Sequence, residues 1–174
     1  RERQRERERP VEQRPQRIIA RTGWTTDELQ QGIGHTRLLY GYHFVSLLIG
    51  VNNQYRGKSA APYAQEFAVL LRQAIEFAGG ERKKVFVLSI PDWGATPFAE
   101  GRDREQIARD IDAFNEVAAT VCRENAVQFI DITPGTREAA HDKTLLAPDN
   151  LHPSGKEYAR WAQLLAAAMI EQIK

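Results

Sequence analysis

Four short, almost continuously apolar runs alternate with segments of helical periodicity, and this alternation restricts the fold more than any other feature of the chain. The runs are RIIA, FVSLLIG, KVFVLSI and VQFIDIT, at residues 17–20, 44–50, 84–90 and 127–133. They are rich in β-branched side chains and apolar on both faces, as is typical of strands buried on both sides of a parallel sheet. The sequence therefore predicts four parallel strands.

Helical stripes separate the last three runs and follow the final one. Their apolar members are Tyr63, Phe67, Leu70, Leu71, Ala74 and Phe77, then Ile107, Ile111, Phe114, Ala118 and Val121, then Tyr158, Trp161, Leu165 and Ala168. Such stripes indicate helix faces packed on a core. Thr25 with Glu28, and Ser154 with Glu157, have the spacing of capping boxes at helix starts. We therefore expect an α/β fold, a three-layer α/β/α, flavodoxin-like domain with a parallel sheet and right-handed crossovers.

The composition changes sharply at residue 17. Residues 1–16 contain six Arg, four Glu and a single aliphatic side chain, Val11, which cannot offset the entropy of ordering. We predict a disordered Arg/Glu-rich tail over residues 1–16 and one α/β domain over residues 17–174. The net charge of +1 argues against a nucleic-acid partner, and the apolar runs are too short for a membrane span. No signal-peptide core is visible, which favours a cytoplasmic protein, although an incomplete N-terminus would leave export open.

The stretch PDNLHPSG, residues 148–155, places Asp149 three residues before His152 in a turn ahead of a helix. A carboxylate in this position can orient an imidazole, which in serine hydrolases accepts the proton of the nucleophile. The pair alone is weak evidence, because a turn aspartate followed by a solvated histidine has the same spacing. The histidines are dispersed without the close spacing of a zinc site, so we expect no metal.

Small and polar residues follow the first three predicted strands, at residues 21–24, 50–53 and 91–94. Ligands of open parallel sheets bind beyond the carboxyl ends of the strands. The turn with Asp149 and His152 follows the fourth strand and can therefore join the same edge. Trp24 and Trp93 could line a substrate pocket there, or could serve as caps over the core.

Taken together, the motifs resemble those of the SGNH, or GDSL-type, hydrolases over about residues 17–172. LLIGVNN is similar to the family's G-x-N-D block, PDNLHPSG to its D-x-x-H block, and Gly23 in RTGWTTDEL to its glycine block, in the same order and strand context. These segments and SIPDWGATPF look like one bacterial branch of esterases or lysophospholipase-like enzymes. The joint match is far more specific than any single block.

The resemblance implies a serine esterase or lipase that acts on small acyl esters and needs no cofactor. In that scheme His152 is the general base, Asp149 orients it, and Gly23 and Asn52 are the oxyanion donors. A backbone N–H on glycine and a neutral amide suit this task, because both can approach developing negative charge. Asn53 stands where the family block has Asp, which leaves the orientation of that loop open.

One block of the family has no counterpart. The nucleophilic serine belongs to a G-D-S block after a first, central strand, and no G-D-S occurs in this sequence. Either the start of the sequence is incomplete or the nucleophile has been lost. The alternative function is therefore an inactive relative that binds acyl esters, glycans or a protein partner. A missing first strand would also leave strand edges unpaired, through which oligomers can form.

Overall fold

A computed structural model describes residues 16–173, apart from the side chain of residue 173. Within these residues the α-helices are α1 Thr26–Gly34, α2 Val51–Tyr55, α3 Ala60–Phe77, α4 Arg104–Glu124, α5 Thr133–Arg137 and α6 Gly155–Ile173. The strands are β1 Val45–Leu47, β2 Val85–Leu88 and β3 Gln128–Ile130. Single 3-10 turns occupy Arg82–Lys84, Trp93–Ala95, Pro97–Ala99, Glu138–Ala140 and Lys143–Leu145. Residues 1–15 of the predicted tail lie outside the described residues, so the disorder of the tail stays a prediction.

The strands form one parallel sheet in the order β1-β2-β3. Val45 of β1 lies opposite Val85, and Phe86 of β2 lies opposite Gln128. Every residue of β2 is buried, as expected for the central strand of a parallel sheet. In the described part of the chain β1 pairs only with β2. Three of the four predicted strands and the α/β fold are therefore confirmed.

The predicted strand at residues 17–20 is wrong, because the backbone there is irregular. Ile18 is 78% exposed, whereas Ile19 packs against the core. A strand requires a neighbour that completes its hydrogen-bonded ladder, and the described residues place no strand beside this run. Ile19 therefore anchors this run to the core, although the run forms no regular structure.

Helices α3 and α4 pack against each other with the apolar faces that the periodicity predicts. Their buried residues are Tyr63, Phe67, Leu70, Leu71 and Ala74 on α3, and Ile107, Ile111, Phe114, Ala118 and Cys122 on α4. Together with Val85 and Val87 of β2 they belong to one core cluster. Burial raises the pKa of the Cys122 thiol to about 12. The core role of these two stripes is confirmed.

The two predicted capping boxes have different outcomes. Thr25 and Glu28 form the capping box of α1, and the Thr25 N–H donates to Glu28 Oε2 at 2.8 Å. At α6 only half of the box forms: the Glu157 N–H lies 3.4 Å from Ser154 Oγ. The Glu157 carboxylate instead accepts from the Trp161 indole N–H at 2.7 Å, because that buried donor needs a partner.

The apolar stripe of α6 is only partly buried. Trp161 and Ala168 are buried and Leu165 is half-buried, whereas Tyr158 is 52% exposed. Across residues 16–173, none of the helices combines the length and the apolar character that crossing a membrane requires.

Candidate active site

A pocket of about 520 Å³ lies beyond the carboxyl ends of the three strands. Five of the six predicted site residues line it, namely Gly23, Trp24, Asn52, Trp93 and His152. The sixth, Asp149, contacts His152 directly. The fold therefore brings together segments that follow β1 and β2, the loop before α1 and the turn before α6, as the rule for ligand sites in parallel sheets predicts.

Asp149 and His152 are joined through the imidazole. Asp149 Oδ2 lies 2.5 Å from His152 Nδ1, and both side chains are half exposed. Asp149 Oδ1 accepts the backbone N–H groups of Leu151 and His152, each at 3.0 Å. These contacts, the imidazole first, lower the pKa of Asp149 to about 2. The carboxylate thus stays ionised near neutral pH and contacts Nδ1, whereas Nε2 of His152 makes no hydrogen bond within the described residues.

Gly23 occupies a tight turn. The Trp24 N–H donates to the Arg21 carbonyl at 3.2 Å, and Gly23 has φ +88°, a left-handed conformation that favours glycine. Arg56 Nη2 donates to the Gly23 carbonyl at 2.5 Å and Nη1 donates to Glu28 at 3.2 Å. The carbonyl side of the turn is therefore held, whereas the Gly23 N–H donates to no acceptor within the described residues.

Asn52 lies in the first turn of α2, directly after its N-cap residue Gly50. Gly50 has φ +126°, and a Cβ there would lie 2.8 Å from the buried ring of Tyr63, so only glycine fits. The Asn52 Nδ2 donates to the Trp24 carbonyl at 3.1 Å. Since an amide has two N–H bonds, one remains for a ligand. This contact also links Asn52 to the turn that carries Gly23.

Asn53 anchors the start of α1. Its Oδ1 accepts the Thr26 N–H at 3.1 Å, and its Nδ2 donates to Thr26 Oγ1 at 2.6 Å. The same Nδ2 lies 3.4 Å from a carboxylate oxygen of Glu66, which also accepts the Thr26 hydroxyl. An amide suits this position, because an aspartate there would face the Glu66 carboxylate. The loop that carries Asn53 in place of the family's aspartate is therefore held by several hydrogen bonds.

Trp24 and Trp93 line the pocket and also pack against the core. Trp93 is only 7% exposed, and its indole N–H donates to Gln54 at 2.7 Å. Trp24 packs on Gly32, where a Cβ would lie 2.3 Å from its ring. Each tryptophan therefore borders the pocket and covers part of the core, and the role of both in substrate binding stays a prediction.

Sequence reasoning missed three residues of this site. Tyr55 and Phe98 line the pocket with half-exposed rings, and Arg56 holds the Gly23 turn. Tyr55 follows Asn52 by three residues, which is one helical turn, so its position could have been predicted. Phe98 lies in a loop without periodicity and gave no such signal.

None of the serines in residues 16–173 lines the pocket. Ser89 is buried, donates to Asp131 at 2.8 Å and accepts the Ile132 N–H at 2.8 Å. Ser154 donates to the Thr144 carbonyl at 2.7 Å. Ser46 and Ser59 are exposed, on β1 and directly before α3.

One comparison with known proteins identifies a family. A model of the GDSL-like lipase/acylhydrolase family matches residues 2–160, while no curated protein matches the sequence. An acetylxylan esterase from Geobacillus stearothermophilus superimposes with a TM-score of 0.63 at 20% identity, covering 84% of this chain and 68% of that one. The lipase/acylhydrolase from Enterococcus faecalis gives 0.57 at 22% identity over 82% and 69%. The OSK domain of Drosophila Oskar gives 0.58 at 14% identity over 84% and 70%. At these identities the solved structures establish a shared fold.

Proposed function

Because the chain belongs to the GDSL-like lipase/acylhydrolase family, we propose that its pocket binds carboxylic esters and hydrolyses them, with His152 as the general base. One observation carries the proposal: His152 is held by Asp149 on the wall of a pocket that also contains Gly23 and Asn52. A base, its orienting carboxylate and two neutral donors are, together with a nucleophilic hydroxyl, the groups that acyl transfer requires.

In this proposal His152 transfers the protons. Because Asp149 holds Nδ1, Nε2 can accept the proton of the attacking hydroxyl and deliver it to the leaving alkoxide. Asp149, with its pKa lowered to about 2, remains a carboxylate throughout and stabilises the imidazolium. Asp149 is therefore an orienting residue and does not itself take the proton.

Gly23 and Asn52 are the proposed oxyanion donors. Since the carbonyl oxygen becomes negative only on the way to the tetrahedral intermediate, these donors act mainly on kcat. Asn52→Ala should lower kcat by roughly 10²- to 10³-fold with little change in KM. A change in KM alone would make Asn52 a substrate-binding residue instead.

A second candidate function is a binding module for acyl esters, glycans or a partner protein. It is favoured by the positions of the serines, none of which lines the pocket within residues 16–173. The two candidate functions differ in one chemical group. Only the enzyme requires a nucleophilic hydroxyl next to His152, and such a hydroxyl reacts with a covalent probe.

A fluorophosphonate probe with peptide mass spectrometry separates these candidates in the full-length gene product. Ester hydrolysis predicts one labelled serine, whose labelling is lost in His152→Ala and kept in the exposed control His141→Ala. Labelling that is unaffected by His152→Ala would contradict the role of the base. An unlabelled protein that still binds acyl ligands would be a binding module. Reading the DNA upstream for an in-frame G-D-S block gives the same decision independently.

A further inference from the structure

Three aromatic rings, those of Tyr55, Trp93 and Phe98, form a cluster on the wall of the pocket that we call the aromatic platform. Tyr55 is 43% exposed and Phe98 is 42% exposed, whereas Trp93 behind them is 7% exposed. Ring centroids lie 5.1 Å apart for Tyr55 and Trp93, 6.2 Å for Trp93 and Phe98, and 6.3 Å for Tyr55 and Phe98. Large rings kept open inside a concave site indicate a binding surface.

A hydrogen bond holds Trp93, the ring at the back of the platform. The Trp93 indole N–H donates to Gln54 Oε1 at 2.7 Å, and the other end of that amide lies 3.4 Å from Asp110. Tyr55 meets Trp93 edge to face, at an interplanar angle of 76°, which is a favourable geometry for aromatic pairs. The Trp93 ring behind the platform is therefore already ordered before a ligand binds, which reduces the entropy lost on binding.

The platform connects the two halves of the proposed catalytic machinery. Tyr55 lies one helical turn after Asn52 on α2. On the other side, the Phe98 N–H donates at 3.3 Å to the carbonyl of Asn150, which lies in the turn between Asp149 and His152. A group resting on the platform is therefore adjacent to both the oxyanion side and the base side.

The charges beside the platform disfavour a cationic ligand group. Asp92 is 3% exposed, but its carboxylate is already paired with Arg137 at 2.8 Å and accepts the Gly94 N–H at 2.9 Å. The Arg102 guanidinium lies 5.9 Å from the Trp93 ring centroid, so a second cation there would be repelled. An uncharged ring avoids this repulsion and needs no counter-ion from Asp92.

We propose that Tyr55 and Phe98, backed by Trp93, bind an uncharged aromatic ring of the ligand and set the pocket's preference for aryl over alkyl groups. The proposal rests on the proposed function in that it names the substrate class of the same pocket. A third ring can lie offset or edge-on against the two open rings, and each such contact contributes beyond the area that it buries. A saturated ring of equal size gains only the burial.

The test uses two amides that mimic an ester without being cleaved, N-benzylacetamide and N-(cyclohexylmethyl)acetamide. Titrations are followed by NMR on the indole N–H signals, which also report on Trp93. We expect the benzyl compound to bind about 2- to 12-fold more tightly, the fold-change that one aromatic contact supplies. Equal affinity for the two compounds, or no binding of either, would overturn the proposal.

Substitutions assign the preference to the platform. Phe98→Leu and Tyr55→Leu should each lower the preference for the benzyl compound, and the double variant should reduce it to near unity, while Tyr55→Phe keeps it. Leu39→Ala, which alters a residue that is 50% exposed outside the pocket, is the matched control and should change nothing. A preference that survives both leucine variants refutes the role of these rings.

The outcome is independent of catalysis. A protein that discriminates the two amides but is not labelled by the fluorophosphonate supports the platform and contradicts ester hydrolysis. A protein that is labelled but does not discriminate them supports hydrolysis and overturns the platform.

Discussion

Replacing Gly50 by alanine should destabilise the protein more than the same replacement at Gly57 or Gly34. Its φ of +126° is costly for a residue with a side chain, and the new Cβ would lie 2.8 Å from Cε2 and 2.9 Å from the hydroxyl oxygen of Tyr63. That ring is 1% exposed and its hydroxyl donates to the Ile49 carbonyl at 3.1 Å, so it cannot move aside. Backbone strain of about 1–3 kcal/mol and overpacking of about 1–3 kcal/mol sum to about 2–6 kcal/mol.

Urea denaturation measures this loss. With a slope of about 2 kcal/mol per molar, the midpoint should fall by about 1–3 M. Gly57→Ala is the control, because Gly57 has φ +72° but no atom within 4 Å of its Cβ; it should lose only the backbone part, about 1–2 kcal/mol. Gly34→Ala, with open space and ordinary backbone, should be neutral or slightly stabilising. If Gly50→Ala costs no more than Gly57→Ala, the contact with Tyr63 does not constrain α2.

Three further predictions concern the site and the sheet edge. Arg56→Ala should speed amide hydrogen exchange in residues 21–26 and lower kcat more than it raises KM, because Gly23 loses its anchor. Arg56→Lys should restore little, since one ammonium cannot reproduce both contacts. Unchanged exchange would contradict the anchoring role of Arg56. The Asp149 carboxyl signal should titrate near pH 2 by NMR. Because its pKa is lowered, the contacts of the carboxylate stabilise the fold at pH values above about 3.8, and this stabilisation is lost as the pH falls through 2. His152→Ala should move the titration midpoint of Asp149 upward. One edge of β1 has no partner strand within residues 16–173, and this edge should favour oligomers. Ser46→Lys should shift them towards monomer in size-exclusion chromatography with light scattering, and a monomer without that substitution would argue against edge pairing.

The strands were predictable where burial on both faces determined them. β2 is fully buried on both faces, so its composition alone specified a strand. The run at residues 17–20 has similar composition but no neighbouring strand in the described residues, and a ladder needs a partner that local sequence does not encode. Glu157 is a second case in which local sequence was not sufficient. Its carboxylate accepts the buried indole N–H of Trp161 and not the backbone N–H that the capping pattern predicts.

The site was predictable only where residues adjoin strands or share a motif. Gly23, Asn52 and His152 each belong to a short block, and the fold places all three on one pocket. Phe98 has no periodic neighbours, and its position depends on the 3-10 turns after β2 and on a bond to Asn150. Such contacts arise from tertiary structure, which spacing along the chain does not reveal.

The most direct test of the proposed chemistry is the hydrolysis of p-nitrophenyl acetate by the full-length gene product and by its His152→Ala variant. We expect turnover in the parent protein and loss of nearly all of it in the variant, while the His141→Ala control keeps the parental rate. Undiminished turnover in His152→Ala, with the variant folded as judged by circular dichroism, would contradict the assignment of His152 as the general base.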